Sequence, residues 1–418
     1  MQNSSGENIF QKSGFELNGY FRGVLFGGQT AENNDPTLQS GYGEASLKLK
    51  VRKGILGDAF AEIRFRKGYE FDKYISETAI REAYVNTYIG PLDIRFGHQI
   101  VVWGKTDGFN PTDTITPENI LVRSPNEDDR RKGNFLIRNF FNHHPIRVEA
   151  IWIPVYTPSV LPLKIFPFPE GVSVTKTNYP DSRIQNSGFA LRCHLEMPSW
   201  RGSISYFNGY YPLPGLSYDN PELTPTGFML DIIPAAYRVN VLGLDFSYIL
   251  ESLGLRGEVG YRIPHGDYQY TVYIPNPDVQ YNLGFEKSID RFNVSFQYIG
   301  KRIFNFKELS EPLNPADRLD YEITLNNRML TSQLFELSHA VSFRSSIQLF
   351  YETLNIEMMG YYNLTSEEFL IRPELTYHLA DALTLVTGGE FFSGPENTLY
   401  GIMDEIVSAV FIELKTSF

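Results

Sequence analysis

The chain has 418 residues, of which 21% are charged and 14% aromatic, with 26 Tyr, 31 Phe and a formal net charge of −12. That acidic balance argues against a nucleic-acid partner, and the lack of any uncharged apolar run of ~18 residues excludes a membrane-spanning helix. The single cysteine, Cys193, leaves no intrachain disulfide and no multi-cysteine metal site.

From residue 15 onward, apolar and polar residues alternate with period two, as in strands with two unlike faces. The alternation predicts strands near 15–27, 42–53, 57–69, 79–90, 91–102, 132–140, 144–155, 186–197, 200–212, 235–250, 253–264, 278–288, 290–302, 334–349, 352–363, 367–379, 382–394 and 405–418. In 92–103, Leu92, Ile94, Phe96, His98 and Ile100 share one face, opposite Asp93, Arg95, Gly97, Gln99 and Trp103. In 255–263, Leu255, Val259, Tyr261 and Ile263 oppose Arg256, Glu258, Gly260 and Arg262. The last strand sets Val410, Ile412, Leu414, Thr416 and Phe418 against Glu413, Lys415 and Ser417, and closes on a C-terminal aromatic.

Every second connection is tight, as at Gly90-Pro91, Pro198-Ser199-Trp200, Glu251-Ser252, Ile289-Asp290 and Ala380-Asp381. The intervening ones are mostly long, near 28–41, 103–131, 156–185, 213–234, 265–277 and 303–333. Short turns alternating with long loops, an even strand count and a C-terminal aromatic strand point to an all-β fold. It is a transmembrane antiparallel up-and-down β-barrel of about 18 strands, with 16 as the alternative, short periplasmic turns and long extracellular loops. A barrel passes the helix test unseen because each strand averages its two faces.

On this reading 15–418 form one barrel in a bacterial outer membrane, in contact with lipid and lipopolysaccharide, and 1–14 form an N-terminal periplasmic segment. The start Met1-Gln2-Asn3-Ser4-Ser5 has no basic or apolar signal region, so we expect an export signal to have been removed ahead of it. Cys193 then joins Phe189, Leu191 and Leu195 on the lipid side. Trp152 near the outer rim and Trp200 at a periplasmic turn suit interface anchoring. Pro373, mid-strand, implies a local bulge.

The other face is ionic and of both signs. Opposite charges recur two residues apart, at Glu62-Arg64, Arg147-Glu149, Arg256-Glu258, Arg372-Glu374 and Glu413-Lys415. That spacing is ~6.6 Å along a strand, so the pairs can join each other or a neighbouring strand. The expected pore-lining set is Glu62, Arg64, Glu82, Arg95, Gln99, Trp103, Arg147, Glu149, Arg256, Glu258, Arg372 and Glu374. The near balance of signs argues against a strongly anion- or cation-selective pore and suits small zwitterions or sugars.

The loop 103–131 is long enough to be functional, and we expect it to fold into the lumen as a constriction. Lys105, Asp107, Asn110, Asp113, Glu118, Arg123 and Asn119 could line an eyelet or pin the loop, whereas Glu127 to Lys132 reads as a solvated rim. Four motifs cluster around its start: Arg81-Glu82-Ala83-Tyr84-Val85, Leu92-Asp93-Ile94-Arg95-Phe96-Gly97-His98-Gln99, Val102-Trp103-Gly104 and Asn110-Pro111. Together they resemble the R-E-A-Y, L-R-x-G-x-Q, W-G and N-P pattern of a largely uncharacterised outer-membrane barrel family. That family is often associated with RND-type exporters and is similar in look to alginate-export barrels and porins. His98 stands where the family usually has Arg. The resemblance covers 79–120, about a tenth of the chain.

Two further segments, 155–169 and 227–234, are unusually apolar for loops and imply self-packing, a plug over the mouth or an apolar ligand. The seven histidines are scattered, without a catalytic or metal-ligating set. We therefore expect no enzyme, no cofactor and no metal, but a porin-like channel for passive diffusion of small hydrophilic solutes through a mixed-charge lumen. The family resemblance implies the alternative, an export or binding partner for a hydrophobic or lipid-like cargo, linked to an inner-membrane RND pump.

Overall fold

The computed structural model describes residues 14–30, 33–54, 56–71, 73–106, 108–161, 163, 171–219, 221–224, 227–314 and 317–418. The segment 1–13, and with it nearly all of the expected N-terminal segment, lies outside the described residues, as does Asp107.

In chain order the strands are β1 (Phe15–Thr30), β2 (Asn33–Lys53), β3 (Gly57–Glu70), β4 (Lys73–Ile89), β5 (Leu92–Gln99), β6 (Asn134–His143), β7 (Ile146–Ile153), β8 (Val172–Ser173), β9 (Gly188–Glu196), β10 (Trp200–Tyr210) and β11 (Gly215–Tyr218). They continue with β12 (Glu222–Thr224), β13 (Gly227–Ala235), β14 (Arg238–Leu250), β15 (Leu253–Pro264), β16 (Asp278–Ile289), β17 (Phe292–Ile303), β18 (Leu337–Leu349), β19 (Leu354–Asn363), β20 (Glu368–Ala380), β21 (Leu383–Ser393) and β22 (Ala409–Ser417). Helix α1 (Arg318–Leu330) precedes β18, and α2 (Leu399–Val407) precedes β22.

Strands β8 and β11–β13 form a small separate sheet; the other eighteen form one antiparallel sheet in which each strand pairs with its barrel neighbours. Pairing of β1 with β22, from Gly28↔Ala409 to Tyr20↔Ser417, closes that sheet into a barrel. Closure extends to the last residue: Gly19 and Phe418 exchange both backbone hydrogen bonds at 3.0 Å, and the Phe418 ring stacks on Phe21 at 5.6 Å. A Cβ at Gly19 would lie 2.2 Å from the Ser46 carbonyl oxygen, so this seam requires glycine.

The barrel is inverted relative to a water-soluble core. On β22, Val410, Ile412 and Leu414 are 57%, 45% and 48% exposed, whereas Phe411 and Glu413 between them are 3% and 5% exposed. The same holds around the wall, with Leu25, Ile204, Leu244 and Leu283 outside and Arg22, Glu44, Glu62, Arg192, Asp245 and Glu258 buried inside. Cys193 is on the outside. A buried charge is tolerated only when paired or hydrogen-bonded, and the interior meets that demand with ion pairs between strands.

Several boundaries differ from the sequence reading. The connection expected to be long at 28–41 is instead strand: β1 and β2 stay paired out to Thr30↔Asn33, with register shifts after Phe26 and Gly28 absorbing the irregular pattern. Pro373 causes no bulge. The β20–β21 register runs unshifted from Ile371↔Phe391 to Glu374↔Gly388, skipping only the rungs that proline cannot complete. Gly388 makes room, since a Cβ there would sit 2.3 Å from the Pro373 carbonyl oxygen. The expected strand start at 405 belongs to α2, and the strand begins at Ala409.

The long connections carry structure that period-two alternation cannot announce. β13 pairs with β11 and β12 antiparallel and with β8 in parallel. Leu161, Leu163, Leu216, Leu230 and Ile232 then pack with Ile323 of α1 into one apolar cluster. Asn327 of α1 clips the helix to β11: its Nδ2 donates to the Leu216 and Val272 carbonyls (2.8 and 2.9 Å), and its Oδ1 accepts from the Leu216 amide (2.7 Å). The described parts of the two apolar loops thus cover each other.

Candidate functional site

The segment between β5 and β6 turns inward at Gln99. The Ile100 amide donates to Glu82 (2.9 Å), and Thr116 staples the start of the loop through its Oγ1, which accepts from the Val101 amide and donates to the Val101 carbonyl. Trp103 is 2% exposed. It packs with Val101 and Ile115 against inward apolar residues of the wall, among them Leu136, Ile151, Phe207 and Val241, and its Nε1 donates to Glu149 at 3.4 Å. This corner is therefore a hydrophobic footing that joins loop to wall, and Trp103 faces no open lumen.

From there the loop is held by inward side chains of widely separated strands. Glu258 of β15 accepts the Lys105 and Thr112 amides (2.9 and 2.8 Å) and the Thr112 and Thr106 hydroxyls (2.8 and 3.2 Å). Arg256 donates to the Lys105 carbonyl, and Asn282 of β16 donates to the Phe109 carbonyl. Farther along, Asp129 in a short helical turn is clasped by Arg22 of β1 (2.7 Å) and Arg64 of β3 (2.8 Å). Arg372 of β20 reaches Glu127 at 2.8 Å and the Pro125 carbonyl, while Arg123 reaches Glu390 of β21 at 3.6 Å and the Val407 carbonyl at 2.8 Å. In a closed barrel, a segment touching β1, β3, β15, β16, β20 and β21 through inward side chains must cross the interior.

Within the loop, Arg131 bonds Asp113 at 2.7 Å and ties its two arms together. Burial pushes the Asp113 carboxyl up to about 6 against the opposing pull of Arg131. At Asp129 burial also acts upward, but Arg22 and Arg64 outweigh it and hold this carboxyl well below the usual carboxylate range. Asn110 Oδ1 lies 2.8 Å from the Thr106 hydroxyl oxygen, and Glu118 is exposed.

Many ionic side chains singled out in the sequence are engaged by the wall or loop. Of the five same-face pairs, Glu62–Arg64 (2.7 Å) and Arg372–Glu374 (3.5 Å) form directly. Glu149 bonds Arg138 (2.5 Å) and His194 (3.4 Å) instead, and Arg147 lies over the Phe140 ring. Arg256 bonds Glu286, and Glu413 bonds Arg22 at 3.1 Å. Arg95 donates to Asn86, and Gln99 is fully buried, donating to the Leu136 carbonyl.

Open space is concentrated elsewhere. A polar cavity of about 810 Å³ runs between the loop and the β18–β22 wall, lined among others by Glu127, Arg130, Arg344, Arg372, Glu374 and Lys415. Sequence reasoning missed Asp129, Arg138, Asp245, Asp278, Arg344 and Glu390. Most sit on the ionic face of strands already recognised, and Asp129 lay in the run read as a solvated rim.

No family model matches the chain, and no curated protein matches its sequence. Its fold is similar to solved outer-membrane porins of the Occ family. OccAB3 of Acinetobacter baumannii superposes with a TM-score of 0.57 at 9% identity, over 97% of this chain and 99% of that one. OccAB2 of the same organism gives 0.55 at 10% identity, over 97% and 98% of the two chains. OccK5 (OpdH) of Pseudomonas aeruginosa gives 0.54 at 10% identity, over 97% of each chain. At these identities the likeness is one of fold.

Proposed function

We propose that the protein is a bacterial outer-membrane channel through which small hydrophilic solutes diffuse passively, without a chemical step. The observation that carries this reading is the inverted wall, apolar outside and ionised inside, around a polar cavity that reaches the tight-turn rim at His378, Thr384 and Ser417. An apolar exterior of this kind is stable in hydrocarbon and not in water. The tight turns would face the periplasm and the long loops the exterior, with lipid and lipopolysaccharide around the belt.

The segment 103–131 acts in this reading as the constriction loop. Passage follows the β18–β22 side, where Arg344, Arg372 and Lys415 stand among Glu357, Glu374 and Glu413; this mixed wall favours zwitterionic or neutral polar solutes over ions of either sign. Glu62, Arg64, Arg256 and Glu258 serve by positioning the loop. The described residues of the apolar loops pack on one another, which leaves a hydrophobic-cargo or exporter-linked role without an observation in its favour.

Reconstitution tests the proposal. Purified protein in planar bilayers should give discrete conductance steps, and proteoliposomes should swell in small sugars and amino acids. A barrel that is silent in both assays, or a chain freely soluble without detergent, overturns it.

A further inference from the structure

Phe109, in the inward loop, lines two cavities at once. Below it lies the 810 Å³ cavity, bounded there by Met359 and Leu370. Above it, toward the long-loop rim, lies a second cavity of about 150 Å³, bounded by Tyr361, Glu368, Phe335 and Tyr400. Met359 and Tyr361 are two residues apart on the inward face of β19, as are Leu370 and Glu368 on β20. The boundary between the cavities therefore falls where the Phe109 ring stacks on Tyr361, centroids 4.8 Å apart and planes 23° apart.

The two rings are held differently. Tyr361 is braced from behind: Tyr400 of α2 meets it edge-on at 5.7 Å, and Phe392 of β21 meets Tyr400 edge-on at 5.2 Å. Phe109 follows Gly108, which has φ +77° and open space where a Cβ would stand. Its carbonyl accepts from the Asn282 side-chain amide, which holds the backbone, and its ring packs against Met359 and Leu370.

Resting on the channel reading above, we propose that Phe109 and Tyr361 form the specificity-determining constriction, an aromatic gate in which Phe109 is carried by the inward loop and Tyr361 by the barrel wall. A solute leaving the upper cavity must slide between or displace the rings. Ring faces carry negative quadrupolar charge, so solutes with a flat apolar face or an ammonium group pass more readily than compact anions.

The test is planar-bilayer recording of the full chain. Phe109→Ala should raise single-channel conductance roughly twofold. In a Cys193→Ser background, Phe109→Cys should behave likewise, lose the gain on labelling with benzyl methanethiosulfonate and recover it with dithiothreitol. Phe109→Leu keeps the bulk but lacks the π face; it should leave conductance low and abolish any preference for tetramethylammonium over chloride. Heat-modifiable migration on gels confirms that each variant is folded. A conducting wild type whose conductance is unmoved by Phe109→Ala and by labelling overturns the gate alone; folded wild type and variants that are all silent overturn the channel reading itself. Retention of the cation preference in Phe109→Leu overturns the role of the ring face.

Discussion

Glu258→Gln isolates the anchor that holds the inward loop. The carboxylate is 1% exposed and accepts four loop donors, Lys105 N and Thr106 Oγ1 on one oxygen and Thr112 N and Oγ1 on the other. Glutamine keeps the shape but replaces one oxygen with NH2, and a backbone amide donor waits on either side. A threonine hydroxyl can turn to accept; an amide N–H cannot. One buried N–H is therefore orphaned in either orientation, and the surviving bonds lose their charge assistance. At roughly 1.5–3 kcal/mol for each bond to a charged group and a similar cost for an orphaned donor, the net loss is about 3 kcal/mol. If the loop opens locally, that lowers amide protection over 101–116 roughly a hundredfold, readable by hydrogen exchange with mass spectrometry in detergent. Protection unchanged from wild type, with the barrel folded, would refute the idea that Glu258 holds the loop in place.

Three other perturbations follow from the same geometry. Asp113 has its carboxyl raised from 3.8 to about 6, so its stabilising contribution is complete below pH 3.8 and is lost as pH rises through about 6; the gap corresponds to at most about 3 kcal/mol. Urea unfolding between those pH values should show wild type losing more stability than Asp113→Asn as pH rises, the difference between the two profiles being the Asp113 contribution, and identical profiles would count against it. Ile412→Arg places a charge on the outer face and should cost about 2–4 kcal/mol in vesicle folding titrations; a neutral result would mean that Ile412 does not meet hydrocarbon. Gly388→Ala drives a Cβ to within 2.3 Å of the Pro373 carbonyl oxygen and should lower stability by about 1–3 kcal/mol, against no change if β21 can shift there freely.

The eighteen strands and their two faces were legible because side-chain direction along a strand follows from local geometry alone. Val410, Ile412 and Leu414 could be placed together before any partner was known. Connection lengths separated the two rims for the same reason, since a tight turn is a local event. The loop strands β8 and β11–β13 and the helices α1 and α2 were not legible: β8 and β12 are too short to show a period, β11 and β13 lie in a connection read by its length as loop, and a helix repeats at 3.6 residues, which alternation does not register.

Partnership was beyond the sequence. Asp129 meets Arg22 across 107 residues and Arg372 meets Glu127 across 245. Glu149, two residues from Arg147 on the same face, bonds Arg138 of the adjacent strand. Alternation determined which side chains face the interior, because that is a property of each residue's own backbone. Which of them hold the loop, which bond one another and which are left beside open space was decided only when closure of the barrel brought distant strands around one crossing segment, since an inward charge bonds whatever folding delivers to it.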